Sequence, residues 1–359
     1  MKPLSVLLVG KGPPDSGGIS AMLTTLQRHL TPRCSVGVLN LTRDRGYTAG
    51  VLSATNVGRT IADTVRVFRL GGAYDVVYVH SAFVPSVTMI RAGLLLIAAR
   101  VRGARTILHV HGGSLPEWAS SKMRRLLIRI IAPAANVMIS VSDGITTVLP
   151  AKRTVTIYNG VDTDTFAPIE RGNRNPPTVI YAGLLTRRKG VVDLMDASRL
   201  LLSRGVAHRL VIVGGRPDEG VAEEQEVLAV ASGLEDFIGA VPHREMPEYL
   251  QRADVFCLPS WFEAMPLSVL EALASGLPVV ASRVGQIPQV INDDVGRLVE
   301  PHDPGSLADA LEELLTDTEL RRRLGSNGRA LAMGEYSLES TVSEILDVVR
   351  AIGVQRRAN

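Results

Sequence analysis

The chain has 359 residues, 46% hydrophobic and 21% charged, with 33 Gly, 20 Pro and no low-complexity tract, which excludes a single small module and an intrinsically disordered chain. Its formal net charge is only +3, yet Lys and Arg outnumber Asp and Glu 19 to 8 up to Pro168 and are outnumbered 20 to 28 after it, so the halves carry +11 and −8. The first half is therefore expected to face something anionic, a phosphate or a membrane surface; with aromatics at 4% and none interleaved with the basic residues, a base-stacking nucleic-acid platform is excluded.

Short apolar runs alternate with amphipathic helical patterns along the whole chain, the signature of parallel sheets covered by helices. In the first half, strands are expected at 5–9, 35–39, 75–79, 106–110, 137–140 and 155–158. The series resumes at 179–182, 210–213, 255–259 and 278–281. Between the two series the stretch IERGNRNPPT at 169–178 is polar, holds Gly and Pro-Pro and has no periodicity, so the expected domains are 1–168 and 169–359. A last helix over about 338–352 follows Tyr336 and Ser337 and could pack on either domain. The opening MKPLSVLLVG lacks the longer apolar stretch of a signal peptide and reads as a first buried strand. The apolar stretch at 83–99 is broken by Pro85 and Arg91 and is shorter than the roughly 20 residues a bilayer demands. Cys34 and Cys257, 223 positions apart and outside any C-x-x-C, give neither a disulfide framework nor a zinc site, and a cytosolic setting is expected.

Several stretches carry potential chemistry. GPPDSGG at 12–18 follows the first strand and precedes a helix, so Gly17 and Gly18 can let backbone approach a phosphate, with Asp15 a candidate acceptor contact. A plain flexible turn would look the same. His109 and His111 straddle Val110 at a strand end and are expected to face opposite sides unless the strand stops there, which argues against a metal pair; His109 is assigned to the core. SKMRRLLIRIIA at 121–132 sets Lys122, Arg124, Arg125 and Arg129 among Met, Leu and Ile at helical spacing, as either a sheet-covering helix or one that meets anionic lipid.

The most informative stretch is PSWFEAMPLSVLEALASGLPVVAS at 259–282. Pro266 suits the first turn of a helix running to Ser275, with Gly276 as its stop. Helical geometry throughout would set Glu263 and Glu271 roughly 12 Å apart along the axis, wider than the roughly 5 to 9.5 Å of a glycosidase pair. Such a span suits two ends of one long ligand, with the helix N-terminus between them offering N–H groups to a phosphate, as a nucleotide sugar would require. The spacing alone also fits a surface helix with two solvated glutamates.

Taken together, Gly17-Gly18, His111 in HVHGG, YNGVD at 158–162 with Phe166, Lys189-Gly190, the E-x7-E block and VGQIPQVI at 284–291 resemble, in order and spacing, the retaining nucleotide-sugar-dependent glycosyltransferases of family 4. The resemblance covers nearly the whole chain and implies the GT-B fold, two Rossmann-like doubly wound parallel-sheet domains facing across a cleft, acceptor on the first and donor on the second. It implies that Glu263 contacts the transferred sugar and Glu271 the ribose hydroxyls, that the amides of Met265 and Leu267 face the diphosphate, that His111 holds the sugar and that Val241 packs on the base. In GLLTRRKG at 183–190 the resemblance assigns Lys189 and an Arg to the leaving diphosphate. The usual Arg is Leu184 here, so Arg188 or Arg187 is expected to supply that charge, and Pro266 stands where many members have Gly, removing one N–H.

The implied reaction is transfer with retention to a saccharide or lipid-linked hydroxyl acceptor, in polysaccharide, lipid-linked oligosaccharide or glycolipid synthesis. It needs no cofactor, and no metal is expected because no D-x-D motif stands where a donor diphosphate would sit. A nucleotide-sugar 2-epimerase and a non-catalytic nucleotide-sugar-binding subunit are the alternatives. Peripheral attachment to the inner face of the cell membrane is a further expectation, from the basic first half.

Overall fold

The computed structural model describes residues 3–13, 18–42, 52–170, 172, 175–215, 221–231, 233 and 235–357. It divides into two compact units, Met1–Tyr158 with Thr341–Asn359, and Asn159–Ser340. The sequence alone put the division after Pro168 and left open which domain the C-terminal helix packs on. The polar stretch read there as a linker instead belongs to unit 2, and the chain re-enters unit 1 at Thr341. Divided in this way, unit 1 holds 22 Lys and Arg against 8 Asp and Glu, a net +14, and unit 2 holds 17 against 28, a net −11.

In unit 1, β1 (Ser5–Gly10), β2 (Ser35–Asn40), β3 (Val76–Ser81), β4 (Arg105–Val110), β5 (Val137–Ser140) and β6 (Thr154–Thr156) form a parallel sheet in the order β2-β1-β3-β4-β5-β6. Strands β1, β3 and β4 are almost wholly buried, as expected where helices cover both faces of a parallel sheet. The crossovers are α1 (Gly18–Leu30), α2 (Ala54–Gly71), α3 (Ser86–Val101), α4 (Leu115–Trp118) with α5 (Lys122–Ile131), and α6 (Asp143–Thr146). The step from β1 to β2 runs toward one edge and the later steps run toward the other. Right-handed crossovers therefore put α1 on one face and α2, α3 and α5 on the opposite face. Asp63 of α2, fully buried, accepts from Arg91 of α3 at 2.7 Å and ties those two helices together.

The parallel sheet of unit 2 comprises β7 (Thr178–Ala182), β8 (Arg209–Val213), β9 (Glu235–Gly239), β10 (Val255–Leu258), β11 (Val279–Ser282) and β12 (Gly296–Val299), in the order β12-β11-β10-β7-β8-β9. Its helices are α7 (Val191–Ser203), α8 (Val221–Ala229), α9 (Met246–Gln251), α10 (Leu267–Ala274), α11 (Ile287–Val290), α12 (Pro304–Thr316) and α13 (Thr318–Glu335). Pro266 is not inside the first turn of α10, as expected from sequence, but precedes it in extended conformation as the N-cap.

The last helix, α14 (Leu338–Arg357), is longer than expected. Within unit 1, Thr341 donates to the Tyr158 carbonyl at 3.1 Å and Arg356 donates to the carbonyls of Gly72 and Tyr74. Cys34 and Cys257 are buried free thiols, one in each unit.

Candidate active site

In unit 2 the sheet reverses direction between β7 and β10: from β7 the chain steps through β8 to β9, and from β10 through β11 to β12 on the other side. The crevice outside the strand C-termini at such a point is where open α/β sheets bind ligands. The loops after these two adjacent strands carry Lys189 and Glu263. Gly190 holds a left-handed φ of +70°, and a Cβ there would lie 1.8 Å from the Pro259 carbonyl oxygen, so only glycine lets the two loops touch. Trp261 N–H then donates to the Arg188 carbonyl at 2.9 Å. Tyr181 reaches under the first loop to donate to the Leu184 carbonyl at 2.7 Å; burial, then the nearby Glu263 charge, holds its phenol well above the ordinary range.

This framework brings Lys189 Nζ to 2.5 Å from Glu263 Oε1, with both side chains largely buried. Ser260 Oγ donates to the same oxygen at 2.8 Å. Gly285, at φ +57°, presses against the Glu263 carbonyl, and Gln286 N–H donates to the Ala264 carbonyl at 2.8 Å, which places the VGQIPQVI motif behind the Glu263 turn.

Glu271, in the middle of α10 and 7% exposed, accepts from His243 Nε2 at 2.7 Å. The two glutamates of the E-x7-E block are thus not a helical pair: Glu263 lies in the loop before α10, and each carboxylate has its own basic partner. His243, in the segment after β9, received no role from the sequence. Only its place two residues after Val241, beyond a strand end, could have marked it. Its ring also lies 5.7 Å from that of Phe166.

The N-terminus of α10 has neither a side-chain cap nor an acidic residue in its first turn, so the positive end of its dipole is not offset there. Buried Asn159 fixes the entry by donating through Nδ2 to the Met265 carbonyl at 2.8 Å. Met265 is buried, and Leu267, the first residue of α10, is half-buried. The D-x-D at 162–164 serves a turn: Asp162 accepts from the N–H groups of Asp164 and Thr165 and from the Thr165 hydroxyl.

Arg187 and Arg188 are both exposed. Arg187 Nε lies 3.4 Å from Glu226 of α8, while Lys189 is engaged with Glu263. Val241 is half-buried beyond Gly239 of β9. Gly18 opens α1 with clear space beside it; Gly17 and Asp15 lie outside the described residues.

The first sheet reverses between β1 and β3, and beside that point a group of histidines collects. His109 and His111, expected from the sequence to face opposite sides, are two positions apart, and strand side chains two apart fall on the same side: their ring centroids are 4.1 Å apart. His80 of β3 pairs in register with His109. His80 Nδ1 and His111 Nε2 are 3.2 Å apart, and Tyr78 OH and His109 Nδ1 are 2.8 Å apart. Burial, the first cause in each case, pushes His111 down to about 3 and holds His80 and His109 well below the ordinary imidazole range, so all three are neutral at neutral pH. Among the described residues, these three form a group whose potential metal-ligating atoms lie within 4.8 Å of one another. However, the rings of His80 and His111 stack at 19° and one nitrogen of each faces the other. His80 Nε2 and His109 Nε2 are buried without a hydrogen-bond partner among the described residues.

Comparison with known proteins follows the same two units. The profile described as "Glycosyltransferase Family 4" matches residues 16–165, and that described as "Glycosyl transferases group 1" matches 162–331. The chain is 36% identical over 197 residues to the MMP alpha-(1->4)-mannosyltransferase of Mycolicibacterium hassiacum, covering 53% of this chain and 46% of that protein. It is 28% identical over 391 residues to the alpha-maltose-1-phosphate synthase of Mycolicibacterium smegmatis, covering 95% and 97%. The match spans about half the length of the first curated relatives, at 46% of each.

Among solved structures, the sucrose-phosphate synthase of Thermosynechococcus elongatus superposes with a TM-score of 0.80 at 21% identity, covering 98% of this chain and all of that one. HepE of Anabaena, solved in complex with UDP-glucose, gives 0.74 at 18%, covering 96% and 99%. With the two glycosyltransferase profiles matched one to each unit and the fold shared along nearly the whole length, this chain belongs to the GT-B glycosyltransferases of the family 4 type.

Proposed function

We propose that the protein transfers a sugar from a nucleoside diphosphate sugar to a hydroxyl acceptor, with retention of configuration and without a divalent metal at the diphosphate. The observation that carries this reading is the Lys189–Glu263 pair at the switch point of unit 2, next to a helix N-terminus free of acidic residues. Lys189 and an arginine, Arg188 in preference to Arg187 because the latter already faces Glu226, stabilise charge on the departing diphosphate. The dipole of α10 adds to them. The pair exchanges partners on donor binding: the ammonium turns to the diphosphate, and the carboxylate it releases accepts from the sugar hydroxyls.

Glu271, held by His243, accepts from the ribose hydroxyls at the other end of the ligand. Val241 packs on the base, and the backbone at Met265 and Leu267 faces the phosphates. His111 keeps the sugar-holding role, and Gly17 and Gly18 the phosphate-approaching role, that the sequence resemblance implies. The bond from the sugar C1 to the phosphate oxygen breaks as the acceptor oxygen bonds C1 on the same face, and the acceptor proton passes to the departing phosphate oxygen. No protein nucleophile is consumed. The relatives' printed names, a mannosyltransferase and a maltose-1-phosphate synthase, favour a saccharide or sugar-phosphate acceptor, and a lipid-linked glycan is the third acceptor class to screen.

The experiment is a donor and acceptor screen with the purified chain, following nucleoside diphosphate release and the new glycoside. Release and glycoside formation that both need an acceptor support transfer. Turnover of donor without acceptor would instead indicate an epimerase, and binding without turnover a non-catalytic subunit.

A further inference from the structure

Helices that cover a parallel sheet turn their apolar sides inward and leave the outer side of the layer polar. The α2, α3 and α5 layer of unit 1 departs from this. On α2, Val57, Ile61, Val65 and Phe68 recur at spacings of four, four and three and form one exposed stripe, while Val67 takes the buried side. On α3, Ile90, Leu94, Ile97 and Val101 do the same at four, three and four. On α5, Met123, Leu126 and Ile130 are exposed and Ile128 is buried. These eleven side chains are between 40% and 78% exposed, too many large apolar groups on one face to count as scattered surface residues. α3 packs against both α2 and α5, and all three cover the same face of the sheet, so the stripes run side by side.

The charge on this layer is equally one-sided. The three helices carry nine Lys and Arg, seven of them exposed, including all four on α5. Their one acidic residue is Asp63, fully buried against Arg91. No exposed carboxylate stands among these cations on the three helices.

We infer that this face docks on an anionic lipid bilayer, the three apolar stripes entering the boundary between headgroups and acyl chains and the cations meeting the lipid phosphates. Cations combined with exposed apolar side chains are the chemistry of an interfacial element. Among the described residues no helix is long and apolar enough to cross a membrane, so the contact is peripheral. A second copy of this chain fits the face poorly, because an isologous contact would set cations against cations. The inference extends the expectation for the basic α5 to a three-helix surface and is independent of the sugar-transfer reading.

The test is sedimentation of the full chain with phosphatidylcholine vesicles with and without phosphatidylglycerol. The wild type pellets with the anionic vesicles and not with the zwitterionic ones. Changing Arg66, Arg69, Arg124 and Arg125 together to Gln lowers the partition coefficient by about a hundredfold or more, and Ile97→Ser with Leu126→Ser lowers it at least about tenfold. All six side chains are exposed, so unchanged melting confirms that both variants fold. A wild type that stays in the supernatant with anionic vesicles overturns the inference, as does serine-variant binding equal to wild type. A dimer in light scattering that Ile97→Ser dissociates, with no vesicle binding, assigns the face to a second copy instead.

Discussion

Lys189 Nζ lies 2.5 Å from Glu263 Oε1, and these two residues, 74 positions apart, meet because the loops after two adjacent strands touch at Gly190 and Pro259. In the proposed reaction the donor separates this pair, the ammonium turning to phosphate and the carboxylate to sugar hydroxyls.

Lys189→Ala therefore lowers turnover by about 10² to 10³, the loss of one preorganised electrostatic donor. Glu263→Ala lowers turnover more than nucleotide affinity, and the double variant costs less than the product of the two single effects because each acts through the other. Steady-state kinetics of the four forms checks this. Full turnover in Lys189→Ala would move the clamp to Arg187 or Arg188.

Glu271 is nearly buried on α10, and its carboxylate accepts from His243 at 2.7 Å. In Glu271→Ala the dissociation constant of free nucleoside diphosphate rises about tenfold or more, since hydrogen bonds to a charged group contribute about 1.5 to 3 kcal/mol. Calorimetry gives the comparison, and equal affinities would remove Glu271 from the ribose. His243→Ala gives a smaller rise because the carboxylate remains.

Gly190→Ala loses both stability and turnover. The left-handed φ of +70° costs an L-residue about 1 to 2 kcal/mol, and the added Cβ would collide with the Pro259 carbonyl, displacing the loops of Lys189 and Glu263 together. Urea melts and kcat measured on the same preparation should fall together; a stable variant of normal activity would show that the two loops do not need this contact.

How much of this was legible in the sequence depended on burial. The central strands β1, β3, β4, β7, β8 and β10 stand out because residues buried on both faces form unbroken apolar runs. The two strands missing from the expected series, β9 and β12, are the edges of the second sheet. The sequence EDFIG alternates between buried and exposed positions, and GRLV is four residues long with an arginine. Motif and spacing single out Glu263, Glu271 and Lys189 as candidates, but their contacts with His243, Ser260 and one another were not legible, because a contact between loops leaves no periodic trace. His80 was missed for the same reason: only the β3 to β4 register sets it beside His109.

That histidine stack makes unit 1 sensitive to acid. The unfolded chain protonates imidazoles near pH 6.5, whereas the folded state holds His111 neutral down to about 3 and the other two well below their ordinary range. Stability present above pH 6.5 is therefore lost as pH falls through the window from 6.5 toward 3, at up to about 1.4 kcal/mol per pH unit for each histidine. Urea melts between pH 7 and pH 5, above most carboxylate titration, show a falling midpoint in the wild type and a shallower fall in His80→Gln with His109→Gln. Identical slopes in the two proteins would contradict neutral burial.

The most direct measurement of the central claim is proton NMR of the glycoside formed from an α-linked nucleoside diphosphate sugar, with EDTA present throughout. An α-linked product is expected, formed only when acceptor is supplied, at an undiminished rate, and almost none from Lys189→Ala. A β-linked product would contradict retention, and activity abolished by EDTA and restored by magnesium would contradict a diphosphate held by protein cations alone.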